Sequence, residues 1–273
     1  MREAAQTQDE PTQPTSWQRV PPADADALVV GAPFDGTSGG RPRQARAPDL
    51  LRSALELAET DDGAPVWDAG DVLVDPIEPE PTLARLEATI ERACAQAPSA
   101  LPVVLGGEHT VSLAAVRALQ PASIVSLDAH PDLWDDQHGR SIAQGTWLRR
   151  ACERSDAEVV VLGARAARGA ETEAMEELGV RTELPAKLPE PVYLTVDIDV
   201  LDPQQAPGVV WPEPDGPGLD EVAELVGAVA GDHELAGVDL VEVNAAGPGP
   251  TVDAAAHLLQ QALAAAGGDA GTR

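Results

Sequence analysis

Apolar residues along the chain fall into short runs separated by amphipathic stretches. Runs at Ala27-Leu28-Val29-Val30-Gly31, Leu101 to Leu105, Ile124-Val125, Glu158 to Leu162, Val192 to Val196 and Leu235 to Val238 predict strands, with a weaker one at Val66-Trp67 leading into Asp68 to Asp71. Near-continuous apolar runs of this length belong to strands buried on both faces. The stretches between them carry helical spacing. Pro48 suits the first turn of a helix through Leu50, Leu51, Leu55 and Leu57, and Leu83, Leu86, Ile90 and Ala93 mark a helix from Thr82 to Ala97. Further helices are predicted through Val111, Ala115 and Leu119, over Glu171 to Leu178, Leu219 to Val229, and Thr251 to Ala265. Strands alternating with helices predict an α/β fold whose parallel sheet is covered on both faces. Residues 1–24 lack periodicity and are expected to form a flexible arm, or a segment ordered at an oligomer contact. With no later break in composition, residues 25–273 are expected to form a single domain.

In such a sheet, ligands bind beyond the carboxyl ends of the strands. The sequence there is rich in metal-ligand types. Ser126 to Asp132 reads SLDAHPD, and residues two apart on extended backbone point the same way, so Asp128, His130 and Asp132 converge. The segment TVDIDVLDP at Thr195 to Pro203 repeats the logic with Asp197 and Asp199, and His109 follows the Leu101 strand in Gly106-Gly107-Glu108-His109. Two acidic strand ends repel strongly unless cations lie between them. Four Asp and two His exceed the needs of one tetrahedral zinc. They suit two divalent ions about 3.5 to 4 Å apart with water between them. Four carboxylates balance two divalent charges, and an oxygen-rich set with imidazole favours two manganese ions.

Charge alters the picture of partners. Forty-six acidic against 18 basic residues give a net charge of −28. Nucleic acid and anionic membranes both require a basic footprint, so neither is an expected partner. The field suits a small cationic substrate. The even spread of acids also fits a whole surface adapted to high salt, and a halophilic source is expected on that ground. Without a signal-like leader or an apolar run near the roughly 18 to 20 residues of a membrane span, a cytoplasmic location is expected. Cys94 and Cys152 lack paired spacing and are expected to be small buried residues.

Four motifs, GGEHT at Gly106 to Thr110, DAHPD at Asp128 to Asp132, TVDIDVLDPQQAPG at Thr195 to Gly208 and VDLVEVN at Val238 to Asn244, together resemble the ureohydrolases, the arginase and agmatinase family. The early loop GAPFDGTSGGRPRQARAP is similar to that family's as well, and the resemblance runs from about residue 27 to 260. It implies a three-layer α/β/α sandwich with a central mostly parallel sheet and a binuclear manganese centre. His109 and Asp132 would hold one ion, and His130 and Asp199 the other. Asp128 and Asp197 would bridge them, with Asp128 also orienting the hydroxide. Glu242 would recognise the guanidinium. The implied reaction is attack of hydroxide on the guanidinium carbon, yielding urea and an amine, in a homo-oligomer of three or six chains.

The segment LWDDQHGRSIAQGTWLRR after Asp132 resembles agmatinases in length, so agmatine is the expected substrate. Asp135 and His138 are its candidate substrate contacts, and Trp134, Trp147 and Trp211 lie near the site loops; His233 and His257 are expected elsewhere. Gln144 stands where many members carry a proton-shuttling His. An amide does not titrate, though it can hydrogen-bond to substrate or water. Relatives acting on other substrates, such as formiminoglutamate, also lack that His. The alternatives are therefore a guanidino-acid or formiminoglutamate hydrolase, or an impaired metal-binding homologue. If Gln144 impairs proton transfer, Gln144→His is expected to raise turnover.

Overall fold

Seven parallel strands make one sheet in the computed structural model, which describes residues 20–39, 42–57 and 65–267. They are β1 (Ala27–Ala32), β2 (Val66–Asp71), β3 (Leu101–Gly106), β4 (Ser123–Leu127), β5 (Glu158–Leu162), β6 (Val192–Asp197) and β7 (Leu235–Val241), in the order β2-β1-β3-β7-β6-β4-β5. Alternate residues of these strands feed two separate cores. Val29, Val103, Leu105, Val125, Leu127, Leu194, Val196 and Leu240 face α1 (Ala47–Leu57), α6 (Leu219–Asp232) and α7 (Pro250–Gly267). Leu28, Val30, Val104, Ile124, Val161, Tyr193 and Val241 face α2 (Pro79–Gln96), α3 (Ser112–Leu119), α4 (Trp147–Cys152) and α5 (Ala170–Glu177). The result is a three-layer α/β/α sandwich. Each fully buried Val, Leu or Ile contributes about 1.5–3 kcal/mol of transfer free energy, so the two-sided apolar runs hold the layers together.

Register sets the site. Leu105 pairs with Leu240, Leu240 with Val196, and Val196 with Leu127, which draws a line across β3, β7, β6 and β4. One residue further on, the same four neighbouring strands reach Gly106, Val241, Asp197 and Asp128. Chemistry-bearing side chains from distant parts of the sequence therefore end within reach of one another.

Several boundaries differ from the sequence expectation. β7 extends to Val241, because its polar Asp239 is buried against Tyr193 and Ser112 and does not end the strand. α2 starts at Pro79, since proline fits a helix's first turn. Trp147–Cys152 is a helix that the sequence reading does not predict, a segment too short to show periodicity. Cys94 and Cys152 are partly buried against the α2–α4 side. Most of the expected N-terminal arm, residues 1–19, lies outside the described residues; Pro22–Asp24 form a short 3-10 turn.

Candidate metal centre and active-site cleft

His109 opens a 3-10 turn just after β3. The preceding Gly107 has no alternative, because a Cβ there would sit 2.0 Å from the carbonyl oxygen of Phe34. That close approach lets the Glu108 N–H donate to the Phe34 carbonyl at 2.7 Å and locks the early loop to the end of β3. The His109 Nδ1 lies 3.1 Å from Asp128 Oδ2, 3.2 Å from Asp132 Oδ2 and 3.2 Å from Asp197 Oδ2. On the other side of Asp128, His130 Nδ1 lies 2.9 Å from Asp199 Oδ2 and 3.6 Å from Asp128 Oδ1. The six candidate ligands thus form two groups, His109–Asp128–Asp197 and Asp128–His130–Asp199, joined through the two oxygens of Asp128, with Asp132 beside the first.

The donor set fits cations. His109 Nδ1 and Asp128 Oδ2 are buried and, among the described residues, have no hydrogen-bond partner. Buried polar atoms rarely stay unsatisfied, so an imidazole nitrogen ringed by three carboxylates has the character of a ligand set. The other His109 nitrogen, Nε2, is 2.9 Å from Thr195 Oγ1. Thr195 in turn bonds Asp239, which also accepts from Ser112 Oγ and Tyr193 OH at 2.5 Å each. A second partner of this kind fixes the ring and leaves Nδ1 facing the carboxylates.

Electrostatics point the same way. Burial alone would lower both imidazoles. Carboxylates win: Asp128, Asp132 and Asp197 hold His109 well above its ordinary range, and Asp128 and Asp199 push His130 up to about 12. Two imidazoliums cannot serve four buried acids. Asp128, against its burial, is lowered by both His, whereas burial and neighbouring carboxylates push Asp132 up to about 6 and raise Asp197 and Asp199. Without ions, the cluster therefore retains protons that a metal would displace.

Glu242 follows β7, buried, with φ of 66°. Asp132 has φ of 52°. Such left-handed backbone is uncommon for residues other than glycine and collects at functional sites. Glu242 Oε1 accepts from the His109 N–H at 2.8 Å, and Oε2 from Gln44 Nε2 at 2.9 Å. Burial, followed by repulsion from Glu108, pushes Glu242 up to about 8 despite those donors. A cleft of about 290 Å³ opens above these groups, lined by His130, Asp132, Asp197, Asp199, Gln144 and Glu242. Its lining also includes Trp134, His138, Trp211, Arg168, Glu171 and Glu213.

Asp135 is not brought to the cleft. It is exposed, and its carboxylate accepts from Arg150 Nη2 at 2.7 Å. Trp147 is fully buried beneath the site, its Nε1 donating to Asp132 Oδ2 at 2.9 Å and its ring 4.6 Å from that of His109. His233 pairs with Glu190 at 3.2 Å, away from the cleft. Several site residues escaped the sequence reading. Gln44, Ser38 and Glu108 are ordinary polar residues whose role exists only through contacts made across the fold. Glu108, fully buried, accepts from the Thr37 N–H at 2.9 Å and from the hydroxyls of Thr37 and Thr110. Thr195 had a legible signal: it precedes Asp197 by two positions on one strand.

A family model described as "Arginase family" matches residues 25–265. The chain is 33% identical over 271 residues to the N(1)-aminopropylagmatine ureohydrolase of Thermococcus kodakarensis, covering 90% of this chain and 92% of that protein. It is 34% identical over 261 residues to the guanidinobutyrase of Pseudomonas aeruginosa, covering 82% and 81%. Among solved structures, the agmatine ureohydrolase of Thermoplasma volcanium superposes with a TM-score of 0.78 at 27% identity, covering 92% of this chain and 95% of that one.

Proposed function

This chain belongs to the arginase family, hydrolases of guanidino carbon–nitrogen bonds, and from that premise we propose that it is a two-manganese ureohydrolase releasing urea from a guanidino compound. The observation that carries the proposal is the pair of ligand groups sharing Asp128, in the same cleft as the carboxylate of Glu242. His109 and Asp132 would hold one ion and His130 and Asp199 the other, with Asp128 and Asp197 contributing to both. Bound there, two divalent ions acidify water and stabilise developing negative charge.

The chain's own residues handle the substrate. A carboxylate offers about four lone-pair positions. His109 N–H, Gln44 Nε2 and the Gln144 amide occupy three at Glu242, which leaves one for a guanidinium N–H. A cation there also favours the ionised form of Glu242, otherwise held protonated by burial. Water adds to the guanidinium carbon, the bond from that carbon to the alkylated nitrogen breaks, and the departing amine takes up a proton. Gln144 cannot give that proton.

Agmatine is the first reading of the substrate, from the length of the segment after Asp132 and the named relatives. One observation favours a second reading, a guanidino acid: Arg168 is the Arg or Lys side chain among the cleft's lining residues. Its Nη2 lies 4.0 Å from Glu213 Oε1, and the same oxygen is 3.8 Å from His130 Nε2, so one carboxylate oxygen lies between this largely exposed guanidinium and the His130 imidazole. A guanidinium there repels a distal ammonium and attracts a carboxylate. Urea release in manganese and high salt, measured over agmatine, arginine and 4-guanidinobutyrate, tests both readings. Formamide release from formiminoglutamate completes the panel. Preference for agmatine supports the first reading and preference for an acid the second; no product from any compound overturns the proposed activity.

A further inference from the structure

We propose that Gln144 is a positioning residue that clasps Glu242 to Trp211, fixing the indole as the cleft wall against which the substrate's alkyl chain packs. The inference rests on the ureohydrolase reading for what fills the cleft, but the clasp itself is a matter of hydrogen bonds. Gln144 is buried, and its amide orientation follows from its partners. Nε2 faces Glu242 Oε1 at 3.2 Å and Ser38 Oγ at 2.8 Å, and Oε1 accepts from Trp211 Nε1 at 2.9 Å. The backbone N–H of Gln144 donates to Thr37 Oγ1 at 3.1 Å, so the residue is fixed at both ends.

Trp211 needs such a tether. Trp211 is 49% exposed, on a loop secured on either side of it. Before it, the Gly208 N–H donates to Thr251 Oγ1 at 2.8 Å; after it, Arg165 Nη2 and Nε donate to the carbonyls of Glu213 and Pro214, each at 3.0 Å. Between those anchors the indole rests on Gly39, where a Cβ would stand 2.7 Å from Cζ2, and its N–H reaches Gln144. A half-exposed indole with its N–H bonded inward presents an apolar surface to the cleft.

The chemistry explains an amide at this position. Gln supplies two N–H donors and one acceptor, matching Glu242, Ser38 and Trp211 together. A neutral imidazole has one donor and one acceptor, and an imidazolium has no acceptor for the indole. Gln144 therefore performs a task that His cannot complete, and it does so at every pH. This reading reverses the expectation that Gln144→His raises turnover.

The test uses the full chain loaded with manganese and compares the parent with Gln144→Leu, Gln144→His, Trp211→Phe and the Gln144→Leu/Trp211→Phe double variant. Phe keeps an aromatic ring and removes the N–H. The clasp predicts that each single variant raises KM about tenfold across the better guanidino substrates, with kcat within about threefold. Gln144→Leu and Trp211→Phe each flatten the preference for one chain length. The double variant is no worse than either single, the signature of residues acting through one contact. The pH profile of Gln144→Leu keeps the shape of the parent's. Acrylamide quenching of Trp211, taken in the parent by subtracting the signal of Trp211→Phe and in Gln144→Leu by subtracting that of the double variant, rises in Gln144→Leu, a readout that needs no turnover. Additive effects, unchanged quenching, or a Gln144→His variant with higher kcat and a new pH limb would overturn the clasp. If the parent releases no urea from any guanidino compound, the proposed activity falls and quenching alone decides the clasp.

Discussion

Two clusters of buried acid lie at the same edge of the sheet and are neutralised in different ways. On β2, Asp68 and Asp71 meet Arg52 of α1. Its Nε and Nη2 donate to Asp68 at 2.7 and 3.0 Å, and Nη1 donates to Asp71 at 2.6 Å. That cluster carries its own cation in the forked geometry that suits carboxylates. At the carboxyl ends of β4 and β6, Asp128, Asp132, Asp197 and Asp199 have two imidazoles and neither Arg nor Lys in direct contact among the described ion pairs. The first cluster is finished by the chain; the second, on the proposed reading, is finished by ions. A chain of net charge −28 makes the distinction useful, because its acids are everywhere and only their partners tell them apart.

The largest effect that would sharpen this contrast falls on Asp128, the residue common to both ligand groups. Asp128→Ala is expected to lower urea release by roughly 10³-fold or more and to reduce bound manganese. Normal metal content in that variant would show that the two groups are independent. Next comes Arg52→Met, which keeps volume but removes the built-in cation. It should cost about 3–5 kcal/mol in denaturant unfolding while leaving manganese stoichiometry untouched. A change in metal content there would erase the distinction between the clusters.

A smaller and more discriminating effect is expected from Asp197→Asn. Burial and nearby carboxylates raise Asp197 well above the carboxylate range in the metal-free protein. Asn imitates its protonated form, so metal-free stability should stay within about 1 kcal/mol of the parent. The stabilisation gained on adding manganese should shrink, because mass action requires the ligand. Thermal unfolding with and without metal separates the two terms. The smallest effect is reserved for Asp135→Asn. Its carboxylate is engaged by Arg150 outside the cleft, so activity should remain within about twofold of the parent.

The sequence was informative where one element carried the signal. Apolar runs identified every strand of the sheet, and the ligand-rich segments at Asp128–His130–Asp132 and Asp197–Asp199 marked their carboxyl ends. The extended backbone expected to make them converge is not what does so, since β4 ends at Leu127, Asp132 is left-handed and Asp199 lies in a 3-10 turn. What stayed hidden depends on contacts between segments far apart in the chain. Gln44 reaches Glu242 across 198 positions, and Thr37 reaches Glu108 across 71. Nothing local distinguishes those residues from ordinary loop polar groups. Asp135 shows the converse: its proximity to Asp132 in sequence suggests a substrate contact, yet the helix α4 that follows supplies Arg150 and draws it outward.

The central claim, that ions finish the second cluster, is tested most directly by titrating manganese into metal-free protein in buffers of different ionisation heat. In the metal-free state His109 is held well above its ordinary range and His130 at about 12, so both carry protons at neutral pH. Ligation requires neutral imidazole, so binding must release protons, and affinity must rise with pH toward about 12. Below about 6, protonation of Asp132 steepens the loss. The account predicts two ions per chain with net proton release at pH 7. Absence of saturable binding, or binding with no proton release and no dependence on pH, would contradict it.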